Sequence, residues 1–393
     1  MQRNPSITYF AKVDFRDDRR LFGITQDMRA YGMLLIGKTG TGKSNVLISQ
    51  ILDDIRKQKS CIIWDVHNDL SDAIFKYCPE HLKKNIVYLN VPNSQCNIQF
   101  NPLRKVSYEK RALIASSILE TFEKMFASSW GSRLEFTLLH ILLTLLDQPK
   151  ADFSCILKII RNEEYRKDCM KHIVSEEVRG FWQNDFKRLT PSDLLPIISK
   201  ISLFLSYPSV KQLLVTNSQP ISIRYIMDHS KQLIISAPKG ILGSEVSSLL
   251  SGLILSSVIA ASMSRVELPM EQRKPCTLYL DEGQNYLTKS AVSLFSESRK
   301  FGINVVLTLH YVQELAEEIR YAIFANISTL LIFRVSAFDA PFLLREVYMD
   351  YQPEITATEL TNLGNYKIWL KMMIHGRPSK PFTATTVPFQ ELL

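Results

Sequence analysis

The sequence predicts an α/β fold in which a mainly parallel sheet, flanked by helices, is interrupted by an all-helical insertion. Short apolar runs alternate with longer helical periods at 33–36, 61–64 and 86–89, and again at 233–235, 277–280, 304–309 and 329–333. That alternation is the pattern of strands joined by covering helices. Between the two sets, from about residue 107 to about residue 214, helical periods dominate, as in Ile114, Ile118, Phe122 and Phe126 and in the apolar stretch 138–146. The expected organisation is a first sheet-bearing part, 1–106, the helical insertion, 107–214, and a second sheet-bearing part, 215–393.

Within the first part, the apolar run 33–36 enters a glycine-rich loop, after which Val46, Leu47, Ile48, Ile51, Leu52 and Ile55 repeat at helical spacing. Strand, loop and helix thus follow in that order. In the second part, the stretch 246–264 lacks charge but is dotted with serines and sits between two strand-like segments. It reads as a buried helix packed on a sheet, and no run is expected to reach the length and hydrophobicity of a membrane span. Near the end, Ile368, Leu370, Met372 and Ile374 alternate with Trp369, Lys371 and Met373, which suggests a last strand before a proline-containing tail.

Composition narrows the class. A chain of 393 residues, 46% hydrophobic and 22% charged, buries a sizeable core and reads as a folded, soluble protein. Cys61, Cys78, Cys96, Cys155, Cys169 and Cys276 form no CxxC pair, and the seven histidines show no ligand spacing around them. A reduced cytoplasmic setting without structural metal follows. The N-terminal residues carry no basic-then-apolar signal pattern. The net charge of +8 favours an anionic partner, nucleic acid or acidic lipid headgroups. It is spread along the chain, with modest clusters at Arg104, Lys105, Lys110 and Arg111 and at Lys158, Arg161, Arg166, Lys167 and Lys171. The second cluster is interleaved with Glu163, Glu164 and Asp168, as an ordinary solvated helix face would be.

The chemistry is concentrated in a few segments. Gly37, Lys38, Thr39, Gly40, Thr41, Gly42, Lys43 and Ser44 form a phosphate loop: glycines let the backbone curl N–H groups toward phosphate oxygens at a helix N-terminus. Lys43 would reach the β- and γ-phosphates of ATP and Ser44 would ligate Mg2+. Leu278, Tyr279 and Leu280 run into Asp281 and Glu282. Asp281 would hold magnesium through water and Glu282 would polarise the attacking water, although a strand end capped by two acids is common in itself. Eighteen residues after Asp281, the helical segment 291–300 ends in Arg299 and Lys300, followed by Phe301 and Gly302. Arg299 either reaches a neighbouring subunit's γ-phosphate or simply suits the helix dipole and its cap. His310 follows the next strand, where a polar group senses the γ-phosphate or merely closes a strand. Asp65 and Asp69 lie just past the second strand, at the sheet edge where ligands bind; a plain turn role competes for both and is preferred for Asp69.

This combination resembles the HerA/FtsK superfamily of ring-forming translocases, and within it the DNA-binding ATPase domain of conjugative type IV coupling proteins of the TraG/TraD type. The carrying segments are Gly-Lys-Thr-Gly-Thr-Gly-Lys-Ser at 37, Trp-Asp-Val-His-Asn-Asp at 64, Phe-Asn-Pro-Leu at 100, Leu-Tyr-Leu-Asp-Glu at 278, Glu-Ser-Arg-Lys-Phe-Gly-Ile-Asn at 297 and Phe-Arg-Val-Ser-Ala-Phe-Asp-Ala at 333. The resemblance implies a RecA-like P-loop domain, a homo-hexamer, an arginine finger at Arg299 acting between subunits, and ATP-driven movement of DNA. It also implies a cytoplasmic site, peripheral at the inner face of the membrane through a secretion complex.

Two departures stand out. The family usually has glutamine where this chain has His310, which a neutral imidazole replaces with one donated hydrogen bond. Coupling proteins usually carry N-terminal membrane helices and HerA proteins a small barrel, whereas 36 residues precede Gly37 here, so no membrane span of its own is expected. An ATPase of protein secretion or pilus assembly, and a nucleotide-dependent assembly or defence protein, are the competing readings. Glu282 argues against the last, since a catalytic base has no use where hydrolysis is dispensable.

Overall fold

The run Met33, Leu34, Leu35 and Ile36 is buried on both faces of the sheet, as suits a strand covered by helices above and below. It is a central strand in a computed structural model that describes the chain except residues 1–3, 15–18, 94–97, 128–129, 216–219, 348–355 and 375. The strands are β1 (Ile7–Val13), β2 (Leu21–Thr25), β3 (Met33–Ile36), β4 (Ser60–Asp65), β5 (Ile86–Asn90), β6 (Gln232–Ser236), β7 (Cys276–Leu280), β8 (Ile303–Leu309), β9 (Thr329–Ile332), β10 (Lys367–Lys371), the short pair β11 (Met373–Ile374) and β12 (Arg377–Pro378), and β13 (Phe382–Thr386). Eleven of them form one sheet in the order β2-β1-β13-β10-β9-β3-β8-β7-β4-β6-β5.

The middle of this sheet is parallel: β3 pairs with β8 and β9, β7 with β8, and β4 with β6 and β7. One flank is antiparallel, through β9–β10, β10–β13, β13–β1 and β1–β2. The parallel strands β3, β4, β6, β7, β8 and β9 are buried along their whole length, whereas β1 and β10 alternate buried and half-exposed positions. The α/β class and the strand at 368–371 agree with the sequence reading. That strand is not the last, however: the proline-containing tail carries β13, which closes the sheet between β1 and β10.

Contacts divide the chain into two compact units: Met1–Tyr88, Arg224–Ser236 and Ser262–Leu393 in the first, Leu89–Ile223 and Ala237–Ala261 in the second. The first carries the helix Lys43–Arg56, whose buried Val46, Leu47, Ile51, Leu52 and Ile55 pack into a core with Ile63, Ile234, Val306 and Leu331. A buried polar network ties this unit together. Arg29, just before β3, makes paired hydrogen bonds to Asp54 at 2.6 and 2.7 Å, and Tyr279 of β7 donates to the same carboxylate at 2.7 Å. Burial alone would neutralise both ions, but each is the other's partner, so the Arg29 guanidinium is held well above its ordinary range and the Asp54 carboxyl below its own.

The second unit is helical. Phe122 stacks on Phe126 and Phe153, and Phe204 packs edge-on to Phe153. Arg111, counted in a basic cluster by sequence, is 4% exposed and paired with Asp147, so it is a core cation rather than part of a surface patch. The cluster 158–171 behaves as a solvated helix face: Lys167 pairs with Glu163 and Lys171 with Asp168.

The serine-dotted stretch forms the helix Ser244–Met263, and a threonine methyl, Thr121 Cγ2, lies so close to Gly252 that a Cβ there would stand 2.7 Å from it. With its extension to Glu267 this helix is long and apolar enough by composition to cross a membrane, contrary to the sequence expectation that no run qualifies. Serines dilute its apolar character without abolishing it, and 78% of its apolar stretch is buried inside the protein, as for a core helix. Among the described residues it is the one such helix.

Candidate active site

The phosphate loop leaves β3 at its carboxyl end and is tied down by backbone bonds on both sides, to the last residue of β8 and to the segment just past β9: Gly37 N–H donates to Leu309 O at 3.2 Å and Lys38 N–H to Arg334 O at 2.8 Å. Thr41 Oγ1 donates across the loop to Lys38 O at 2.8 Å. Two of its glycines are required for different reasons. Gly40 has φ +75 in open space, so conformation alone demands glycine, whereas at Gly42, φ +117, a Cβ would also stand 2.8 Å from the Tyr366 ring. Lys38, Thr39, Gly40 and Ser44 are exposed, while Thr41 and Lys43 are buried.

Lys43 donates to Gly37 O at 2.5 Å and Lys38 O at 3.0 Å, and its Nζ stands 3.3 Å from His310 Nδ1. Burial lowers its pKa to about 8, against the pull of Asp281 and Glu282. An ammonium only donates, so His310 Nδ1 accepts and Nε2 carries the ring proton, which it gives to Glu282 Oε1 at 2.7 Å. His310 is therefore the neutral imidazole that joins the lysine to the glutamate. The same Oε1 lies 2.8 Å from His67 Nε2, and Asn285 donates to Oε2 at 3.0 Å. Burial alone would raise the Glu282 carboxyl, but the bonds from His310 and His67 outweigh it and hold the group well below the usual carboxylate range.

Asp281 directly follows β7 and is nearly buried; burial pushes its carboxyl up to about 6, opposed by Thr308 Oγ1, which donates to Oδ1 at 2.6 Å. Thr308 also accepts the Glu282 N–H at 2.9 Å. One β8 hydroxyl thus fixes both acids, with Glu282 itself in the left-handed region at φ +48. Among the described residues no cluster of three His, Cys, Asp or Glu side chains is set to hold a metal.

The structure brings Lys43, Asp281, Glu282 and His310 to one edge of the sheet, and it leaves Arg299 away from them. Arg299 lies in the turn Ser298–Phe301 before β8 begins, with its guanidinium 4.3 Å from the Tyr31 ring centre. Seven residues of β8, about 20 Å of strand, separate that turn from His310. The predicted helix 291–300 ends earlier, at Glu297, and gives way to this tight turn.

Asp65 resolves as an organiser of the turn: it accepts from His67 N, Asn68 N, Ser71 N and Ser71 Oγ at 2.6–3.1 Å and thereby carries His67 to Glu282. Asp69 is the exposed first residue of the following helix Asp69–Tyr77. The residue that sequence reasoning missed is His67. It stood inside the quoted segment at 64, but only the crossing from β4 to β7 shows that it meets Glu282.

A phosphate loop after a central parallel strand, faced by two acids ending a strand two places away, defines a P-loop ATPase. The family described as type IV secretion-system coupling protein DNA-binding domain matches residues 22–341, and the chain belongs to it. Solved structures share the fold. A bacterial conjugative coupling protein, TrwBdeltaN70 in its unbound monoclinic form, is similar with a TM-score of 0.67 at 14% identity, over 93% of this chain and 86% of that one. TrwB with the non-hydrolysable ATP analogue ADPNP gives 0.66 at 17% over 93% and 87%, and VirB4 of Thermoanaerobacter pseudethanolicus gives 0.65 at 14% over 100% and 99%. No curated protein sequence matches the chain.

Proposed function

We propose that this P-loop ATPase is a DNA translocase of a type IV secretion apparatus, working with ATP and Mg2+ as a homo-hexameric ring. The observation that carries the reading is the unbroken path from Lys43 through His310 to Glu282, which couples the cation for phosphate charge to the carboxylate for water. TrwB has been solved with ADPNP and with ADP and Mg2+, which supports the same ligands here. Mg2+ is usually held by one or two protein groups, with waters and phosphates completing its shell. Ser44, exposed at the helix start, and Asp281, with one carboxylate oxygen bonded to Thr308, suit that role better than a closed protein cage would. The ion supplies charge neutralisation between the phosphates.

Lys43 moves from the loop carbonyls to the β- and γ-phosphates, Glu282 orients and deprotonates the attacking water, and His310 reports whether that lysine is engaged. Arg299, on the opposite sheet edge, serves a neighbour's nucleotide. The family's DNA-binding description and the charge of +8 support DNA as the partner. We place the protein in the cytoplasm, peripheral at the inner face of the membrane through other secretion components, with Ser244–Met263 as a core helix.

The test is ATPase rate against DNA length at two salt concentrations. A motor that tracks DNA is stimulated more by longer DNA until end-release no longer limits turnover, and the stimulation falls steeply with salt as counterions compete. Rates flat across all lengths, without DNA dependence at low salt, would instead favour an ATPase of protein secretion or pilus assembly.

A further inference from the structure

Tyr366 is a large aromatic residue in a conformation that such residues avoid. Its φ is +65, in the left-handed region where a bulky side chain is a genuine outlier and persists only if its surroundings over-determine it. They do so here by backbone bonds on both sides. Tyr366 N–H donates to Thr41 O inside the phosphate loop at 2.8 Å, and Tyr366 O accepts from Thr386 N at 2.8 Å and Thr386 Oγ1 at 3.2 Å. The result is a ring set against Gly42, so close that a Cβ there would lie 2.8 Å from Tyr366 Cδ1 and 3.4 Å from Cε1. Yet the residue remains 48% exposed. A ring used only for packing would be covered, and a turn that needed only a positive φ at this position would be served better by Gly or Asn than by tyrosine.

The loop has two ends, and the sheet order says which is which. On one side of β3 lies β8 with His310, and beyond it β7 with Asp281 and Glu282; Lys43 faces that side, so the γ-phosphate belongs there. The nucleoside then extends to the other side, toward β9 and β10. Because β10 runs antiparallel to β9, its first residues lie at the same edge as the phosphate loop, and Tyr366 immediately precedes them. Asn45, just past the loop, holds the chain next to this spot: it donates to Val387 O at 2.6 Å and accepts from Phe389 N at 2.9 Å. A flat, half-exposed ring on a fixed backbone, set against Gly42 on the nucleoside side of the phosphate loop, is what an aromatic base stacks upon.

We propose that Tyr366 is the platform for the base of the bound nucleoside triphosphate, an inference that rests on the ATPase reading above. Stacking engages the π-face that every base possesses. The platform therefore holds purines of either kind, favours them over pyrimidines by ring area, and contributes nothing to binding of the phosphate chain alone.

The experiment is calorimetric titration of the full-length chain with Mg-ATP, Mg-GTP and Mg-tripolyphosphate. Tyr366→Ala is expected to weaken ATP and GTP binding about tenfold while leaving tripolyphosphate affinity unchanged, and Tyr366→Trp is expected to retain the wild-type preference. Tyr366→Asn, which tolerates the left-handed backbone without offering a ring, should repeat the alanine result and covers the case in which alanine fails to fold. ATP affinity unchanged in both ringless variants overturns the platform. So does an equal loss of ATP and tripolyphosphate, which would make Tyr366 a prop of the loop. Lys43→Ala separates the two levels of inference: if it binds both ligands as the wild type does, the phosphate-loop reading falls with the platform, whereas if it loses both while Tyr366→Ala loses neither, the platform alone falls.

Discussion

Two polar networks share the first unit, and they are built to different rules. Arg29, Asp54 and Tyr279 lie under the sheet, with Arg29 2% exposed and Asp54 fully buried, and charge meets charge through paired short bonds. Lys43, His310 and Glu282 stand at the sheet edge, linked through one neutral imidazole and open to exchange partners. In the first network mutual pairing drives the groups further into their charged forms. At the sheet edge, burial lowers Lys43 to about 8 and raises the neighbouring Asp281 to about 6, into the range where proton and ligand compete, while His310 and His67 keep Glu282 ionised. Charge matched directly to charge makes a structural tie, and groups free to change partners make a site.

The sharpest way to break this contrast is to remove one member of each network. Lys43→Ala should abolish turnover by loss of nucleotide binding, and Glu282→Gln should bind ATP yet hydrolyse it roughly a hundred- to ten-thousand-fold more slowly; both should melt near the wild-type temperature. Wild-type ATPase in either variant would sink the assignment. Asp54→Ala should do the opposite. It leaves Arg29 buried without its partner and should cost about 3–5 kcal/mol of stability by chemical denaturation, with normal turnover per folded molecule. A stable but inactive Asp54→Ala would erase the distinction.

The buried pair also sets a pH dependence. In the unfolded chain the Asp54 carboxyl ionises near 3.8, and in the folded protein below that, so its stabilisation is present above pH 3.8 and is lost as pH falls through the folded value. Denaturation midpoints between pH 5 and pH 3 should therefore drop more steeply for the wild type than for Asp54→Asn, and parallel curves would refute this.

The opposite edge of the sheet tests the trans role of Arg299. Mixing Arg299→Ala and Lys43→Ala chains should restore part of the ATPase activity, because some interfaces then pair an intact loop with an intact arginine. No mixture ratio exceeding the separate variants would remove Arg299 from catalysis. The smallest effect belongs to His67, which is 46% exposed at its side chain. His67→Ala should reduce kcat by roughly tenfold with little change in KM, since it only orients Glu282. A change in KM alone would point to substrate contact instead.

The legibility of these parts in the sequence follows how local their signals are. The phosphate loop, Asp281 and Glu282 sit in runs whose neighbours announce strand, turn and helix, and the buried parallel strands β3, β4, β6 and β9 carry apolar runs of three or four residues, while Thr277 in β7 and Asn304 and Thr308 in β8 interrupt theirs. The antiparallel flank was hidden because β1, β2 and β13 alternate or mix polar residues, as in Phe-Thr-Ala-Thr-Thr at 382, and because β1 finds its partner β13 across more than 350 residues. His67 and Tyr366 were hidden for a related reason: each matters through a strand crossing that no local period encodes. Arg111 shows the converse error, since a cation read as surface charge found its acid 36 residues away.

One feature of the fold has a mechanical side. The helix Lys43–Arg56 is fastened near its start, where Asn45 holds Val387 and Phe389, and near its finish, where Asp53 accepts from Thr8 and Asp54 grips Arg29 and Tyr279. Fourteen residues of helix span about 21 Å. A rod pinned at both ends does not bend locally, so any displacement of the phosphates at Lys43 arrives as a push on β1 and on β7, the strand that carries Asp281. The helix that cradles the fuel is thereby also a strut, and load reaching the sheet bears back on the loop along the same line.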